Sequence, residues 1–149
     1  MKTKVNEISI SYSGNLKTKD LPKISSSHDA FSLFYENWDL KNIGLHESFK
    51  ILLLNNSNKV KGIYTLSSGG ITGTLVDVRI LFAVLLKSLT TAVIIAHNHP
   101  SGNLKPSEAD KQLTKKITQG GEYFDIKVLD HLIIIPDGDY FSFADEGLL

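Results

Sequence analysis

Residues 91–110 read TAVIIAHNHPSGNLKPSEAD, and how this stretch is placed decides the fold. TAVIIA, residues 91–96, is a short apolar run that reads as a buried strand ending directly at His97. Extended residues two apart point to the same side, so His97 and His99 can meet one ion. A catalytic zinc takes three protein ligands and leaves one position for water, so a third ligand must come from elsewhere. Asp110 is the best placed. It lies in the first turn of a helix that begins after PSGNLKP, a loop whose two prolines and one glycine fold the chain back. A metal held there would bring the pKa of a water toward neutrality and polarise a carbonyl. Ser107, one turn before Asp110, can aim its hydroxyl at a developing oxyanion. Each half has a plainer reading. Ser107-x-x-Asp110 fits a helix N-cap with an acidic N3 residue, and His97-Asn98-His99 fits two turn histidines. Their juxtaposition favours a metal site, and capping is compatible with assistance from Ser107.

Working outward, the helix runs over 107–119, with Ala109, Leu113 and Ile117 four apart, and Gly120-Gly121 ends it. Residues 126–135 and 140–143 form a hairpin around Pro136-Asp137-Gly138-Asp139. Upstream, 78–89 is apolar almost all round and reads as a largely buried helix capped by Asp77. SSGGITGT, residues 67–74, is a loop able to bring backbone close to a cleft. Residues 47–54 and 59–66 are strands joined by the turn Asn55-Asn56-Ser57-Asn58, and Ser27 caps a helix over 28–38 that buries Ala30, Phe31, Phe34 and Trp38. Residues 13–26 are a loop, and alternation at Ile8, Ile10 and Tyr12 predicts a strand over 5–12. The expected class is α/β: a single domain with a mixed β-sheet flanked by helices.

Composition narrows the chemistry. The 149 residues include no cysteine, which excludes disulfides, thiolate metal sites and a cysteine nucleophile. Lys plus Arg and Asp plus Glu both number 16, so net charge leaves no footprint for direct DNA binding. Lys105, Lys111, Lys115 and Lys116 cluster near the site, but Glu108 and Asp110 sit among them, as on a solvated helix face. Arg79 is the only arginine, against a surface built for bidentate phosphate readout. The other histidines are ordinary: His28 at a helix start, His46 before a strand. Asp130-His131, inside an apolar strand, reads as a hydrogen-bonded core pair or a support for the metal ligands. No apolar run approaches the about 20 residues needed to cross a bilayer, and MKTKVNEISISYSG lacks the core of a signal peptide, so no membrane association and a cytoplasmic location are expected.

His97-x-His99, then Ser107 and Asp110, resembles the JAMM motif of the JAB/MPN metalloprotein superfamily. AHNHPSGNLKPSEAD followed by VLDHLIII resembles its RadC branch, over residues 25–149, with 1–24 as an N-terminal strand and loop extension. The resemblance implies a cytidine-deaminase-like fold and one zinc ion per chain, held by His97, His99 and Asp110. It also implies a glutamate general base at the start of an upstream strand. Glu47 fits that slot; without the resemblance it reads as a surface glutamate. Ser107 becomes the residue that stabilises the oxyanion. The implied activity is hydrolysis of a peptide or isopeptide bond in an unidentified peptide or protein. The alternative is a DNA-repair or mobile-element accessory protein with a structural or secondary zinc site. Full-length RadC proteins carry an N-terminal helix-hairpin-helix module associated with DNA. About 25 residues precede the similarity here, so a short form without that module is expected. A nuclease reading of the letters HNH leaves Ser107 and Asp110 unexplained.

Overall fold

Five strands and three helices follow one another in the computed structural model, which describes residues 1–9, 11–69 and 75–149. In chain order they are α1 (Ser27–Glu36), β1 (Ser48–Leu54), β2 (Val60–Ser68), α2 (Val78–Lys87), β3 (Ala92–Asn98), α3 (Glu108–Tyr123), β4 (Lys127–Ile134) and β5 (Tyr140–Ser142). The sheet order is β2-β1-β3-β4-β5. Only β3 and β4 are parallel, joined by the crossover helix α3; the other pairs are antiparallel. The expected mixed sheet flanked by helices is therefore present as one domain.

Alternation along the central strands builds two cores. Leu52, Leu54, Ile94, Ala96, Leu132 and Ile134 pack with Phe31, Phe34 and Trp38 on the α1 side. Phe49, Ile51, Leu53, Val93 and Ile95 pack with Leu81, Leu85 and Ile117 on the α2/α3 side. Every residue of β3 is buried. The alternation continues past Ala96, so His97 turns to the α3 side and Asn98 to the α1 side. β3 thus runs one polar dipeptide further than its apolar run.

Several expectations change. Residues 5–12 form no strand among the described positions; Val5 and Ile8 are exposed, and Ile10 lies outside the described residues. The described positions make no ladder pairing; the segment reaches edge strand β2 through Tyr12, whose hydroxyl donates to the Lys61 carbonyl at 3.2 Å and whose ring lies 4.6 Å from Lys61 Nζ. Helix α2 buries Leu81, Phe82 and Leu85 but leaves Ile80 and Leu86 exposed, because it covers the sheet as an outer layer. Gly120-Gly121 lies inside α3. A Cβ on Gly121 would stand 2.4 Å from the Ile126 carbonyl oxygen, and one on Gly120 2.8 Å from the Phe82 ring. These glycines permit close approach of the helix to its neighbours. The buried stripe of α3 is Thr114, Ile117 and Gly121, so Ala109 faces solvent. The cap of α1 is Ser26, whose hydroxyl accepts from the Asp29 amide, rather than Ser27. Ser67 and Ser68 close β2, while residues 70–74 of the expected loop lie outside the described residues.

Candidate metal centre

The centre forms where β3 leaves the sheet and α3 begins. Its loop turns on Gly102, whose φ of 82° suits glycine, and the His99 amide is held by the Ile134 carbonyl at 2.9 Å. Ser107 then opens α3 with a capping box. Its hydroxyl accepts from the Asp110 amide at 3.0 Å, and the Asp110 Oδ2 accepts from the Ser107 amide at 2.8 Å. That second bond aims the Asp110 carboxylate at the strand end. Oδ1 lies 3.3 Å from His97 Nε2, Oδ2 lies 3.5 Å from His99 Nε2, and the two Nε2 atoms are 3.0 Å apart.

The hydrogen bonds behind the rings settle where their protons sit. The Thr114 hydroxyl donates its one proton to the Asp110 carbonyl at 2.7 Å, so it must accept from His131 Nδ1–H at 2.6 Å. Burial, reinforced by the charge of His97, pushes the His131 pKa well below the ordinary histidine value, so this ring is neutral. Its Nε2 is therefore an acceptor and takes His97 Nδ1–H at 2.8 Å. His99 Nδ1–H donates to the Asn103 carbonyl at 2.6 Å. Both histidines thus spend their Nδ1 proton outward and turn an Nε2 lone pair inward, toward a carboxylate and toward each other. Nitrogen and oxygen lone pairs converging in this way repel unless a cation lies among them. Without a metal, a proton takes that part. At His99, burial pulls the pKa down, but the hydrogen bonds to Asp110 and the Asn103 carbonyl and the charges of Asp110 and Glu47 outweigh it, and the net shift is upward. Burial would raise the pKa of Asp110, yet the two imidazoles hold it far below the usual carboxylate range.

Packing stiffens the arrangement from behind. The Phe49 ring stacks on His97 with centroids 6.2 Å apart, and Phe143 stacks on His131 at 4.5 Å. Phe49 pairs with His97 across β1 and β3, and Glu47 lies two residues before it, just outside the strand. A ligand atom of Glu47 comes within 4.8 Å of those of both histidines. Glu47, His97 and His99 thus form a group able to hold a metal, and Asp110 touches both histidines more closely than that. The donor set is two imidazoles and two carboxylates without sulfur, which fits a borderline divalent ion such as zinc.

Of the residues singled out in the sequence, Glu47, His97, His99 and Asp110 come together, and Ser107 joins them through its two bonds to Asp110. His28 and His46 do not: His28 packs near Phe31 and Tyr140, and His46 lines a groove on the α1 side. Asp130 and His131 part company. His131 backs His97, while Asp130 accepts from Ser142 Oγ at 2.6 Å and from the amides of His131 and Ala144. Thr114 and Asn103 escaped the sequence reading, since a lone threonine and a loop carbonyl carry no pattern. Asn98 carried a usable signal: period-two alternation sends it to the other face, where a buried amide needs partners.

The fold and the site together define an α/β domain with a His-x-His and Ser-x-x-Asp metal-type centre. The chain belongs to the RadC-like JAB domain family, whose model matches residues 24–148. Among curated proteins it is 53% identical over 130 residues to a protein of Flavobacterium johnsoniae named only UPF0758 protein, covering 86% of this chain and 54% of that one. A UPF0758 protein of Porphyromonas gingivalis is 48% identical over 103 residues, 69% of this chain and 45% of its own length. One from Trichlorobacter lovleyi is 38% identical over 133 residues, 89% of this chain and 56% of its own. The chain thus spans about half the length of these relatives. Among the described residues, no helix is long and apolar enough to cross a membrane.

Proposed function

We propose that this chain is a zinc-dependent hydrolase of peptide or isopeptide bonds, with His97, His99 and Asp110 as the ligands and an unidentified peptide or protein as substrate. The observation that supports it most is the inward convergence of the two Nε2 lone pairs and the Asp110 carboxylate, with Glu47 across from them. Zinc bound there supplies a Lewis acid that makes a water nucleophilic near neutral pH and polarises the scissile carbonyl.

The chain's own groups do the rest. Glu47 accepts a proton as the water oxygen bonds to the carbonyl carbon, and delivers it to the amide nitrogen as the C–N bond breaks. The products are a carboxylate and an amine. Ser107 uses one oxygen lone pair to cap α3, which leaves its O–H free to donate to the oxyanion. His131 stays neutral and keeps the His97 ring turned inward. Asp110, fixed by its capping bond, needs little reorganisation to serve as a ligand.

The test is Glu47→Gln. The variant keeps its zinc, measured by elemental analysis, and loses turnover of a validated peptide substrate by roughly 10²–10⁴-fold. Normal hydrolysis by this variant removes Glu47 from the chemistry.

A further inference from the structure

We infer that Asn98, the residue between the two histidines, positions Glu47, so that one dipeptide sets both sides of the site; this rests on the reading of Glu47 as the proton-transfer group. Asn98 is fully buried and its side chain lies on the face opposite His97. Its Nδ2 donates to the Ile43 carbonyl at 2.7 Å and to the His46 carbonyl at 2.8 Å. Its Oδ1 accepts from the Ser48 amide at 2.7 Å. Two of the three bonds bracket Glu47 on either side, and the third holds the turn leading into it. Glu47's own carbonyl accepts from the Gly69 amide at 2.7 Å, a further tether from the end of β2.

The geometry gives the amide a specific task. Glu47 stands just before β1, where the ladder to β2 begins at Ser48 and that to β3 at Phe49. A residue there frays unless something outside the ladder holds it. Asn98 supplies that hold from the peptide that also carries both histidines, so the backbone on either side of Glu47 is tied to the segment that bears them. Serine is too short to span these three bonds, aspartate loses both donors, and glutamine carries the same amide one methylene further out. Asn98 does not touch the reacting atoms. It acts through Glu47.

The experiment compares wild type, N98S, N98D, E47Q and the N98S/E47Q double variant, each loaded with cobalt(II) in place of zinc. The first readout is amide hydrogen exchange. N98S speeds exchange at Ser48 by at least about tenfold, the scale of one lost hydrogen bond, while N98D, which keeps the acceptor, leaves Ser48 protected. Amides of Ile94–Ala96 stay unchanged in both. Wild-type exchange at Ser48 in N98S overturns the proposal. The second readout is the pH transition of the cobalt absorption bands at unchanged metal content. E47Q displaces it by roughly one pH unit, N98S displaces it in the same direction, and the double variant goes no further. A residue that only stabilised the fold would leave this transition in place. A displaced E47Q with an N98S spectrum like wild type overturns the role of Asn98. An E47Q spectrum identical to wild type overturns the reading of Glu47 instead. Should both Asn98 variants fail to fold, the wild type still decides. Its Asn98 side-chain amide protons, both engaged, exchange far more slowly than those of exposed Asn56, and equal rates overturn the proposal.

Discussion

The two faces of the sheet meet the end of β3 with opposite chemistry. On the α1 face, Asn98 is buried with every bond well matched: two donors to two carbonyls, one acceptor to one amide. On the α3 face, His97 is buried next to it, yet its Nε2 meets only His99 Nε2 and the Asp110 carboxylate. A satisfied polar network holds backbone in place. A convergence of lone pairs, kept facing inward by outward-spent protons, is a place for a cation. The contrast also distributes risk. Removing a partner from Asn98 leaves buried groups unpaired and costs stability, whereas removing a ligand from the α3 face relieves repulsion and costs metal.

The sharpest way to break this contrast is to remove the ligands. H97A/H99A retains the fold and carries zinc near zero per chain by elemental analysis, where wild type carries about one. Equal zinc in both would end the assignment. A subtler cut leaves the ligands and frees their protons. Thr114→Val removes the hydroxyl that fixes the His131 tautomer and, through it, that of His97. Zinc affinity, measured against a chelator, should fall roughly 10–100-fold, as for other outer partners of metal-bound histidine. Unchanged affinity would mean that the chain of hydrogen bonds is merely packing.

The pH response separates the faces again. Asn98 carries no titrating group, so its network is indifferent to pH. The α3 face is not. Without metal, the raised pKa of His99 stabilises the fold below the ordinary histidine range, and that contribution is lost as pH rises through the raised value. The depressed pKa of Asp110 acts at the other end: its contribution is present above the ordinary carboxylate range and is lost as pH falls through the lowered value. One ion pair underlies both, so it counts once. Metal reverses the His99 term, because the ligand must be deprotonated to bind. Zinc affinity therefore weakens on acidification, by about tenfold per pH unit for each proton displaced, starting at a higher pH than an ordinary histidine pair would show. Calorimetric titration across pH 5.5–8 (roughly the histidine range) with no such slope would contradict the raised His99 pKa.

Much of this was legible in the sequence, for local reasons. The run into His97, the prolines and glycine after it, and Ser107-x-x-Asp110 are each read within a few residues, and together they bring His97, His99 and Asp110 to one place. The strands of the sheet followed from apolar runs and turn residues. What stayed hidden depends on contacts between distant segments. His131 reaches His97 from 34 positions away, and Asn98 reaches Ile43 across 55. Gly120-Gly121 carries the composition of a helix stop, but the nearness of the Ile126 carbonyl and Phe82 gives it another purpose. Glu47 has no local signature, and only the resemblance pointed to it. The alternation at residues 5–12 misled because a period-two pattern in a short polar segment does not by itself supply ladder hydrogen bonds, and the described positions there make none.

The smallest expected effect concerns Ser107, which belongs to both kinds of chemistry at once. As a cap it is a satisfied group like Asn98; in the proposed mechanism its O–H is also a donor to the oxyanion. Ser107→Ala removes both and should cost about 1 kcal/mol, a Tm drop of roughly 2–4 °C for a chain of this size. Ser107→Asp restores the cap acceptor, since Asp caps as well as Ser, and should recover that stability. It does not restore the donor, and it places a charge where an oxyanion must form. A variant that melts like wild type but turns over substrate far more slowly separates the two roles. If the aspartate variant melts like the alanine one, the capping bond at 3.0 Å contributes little and the Asp110 carboxylate is aimed by its remaining bond to the Ser107 amide alone.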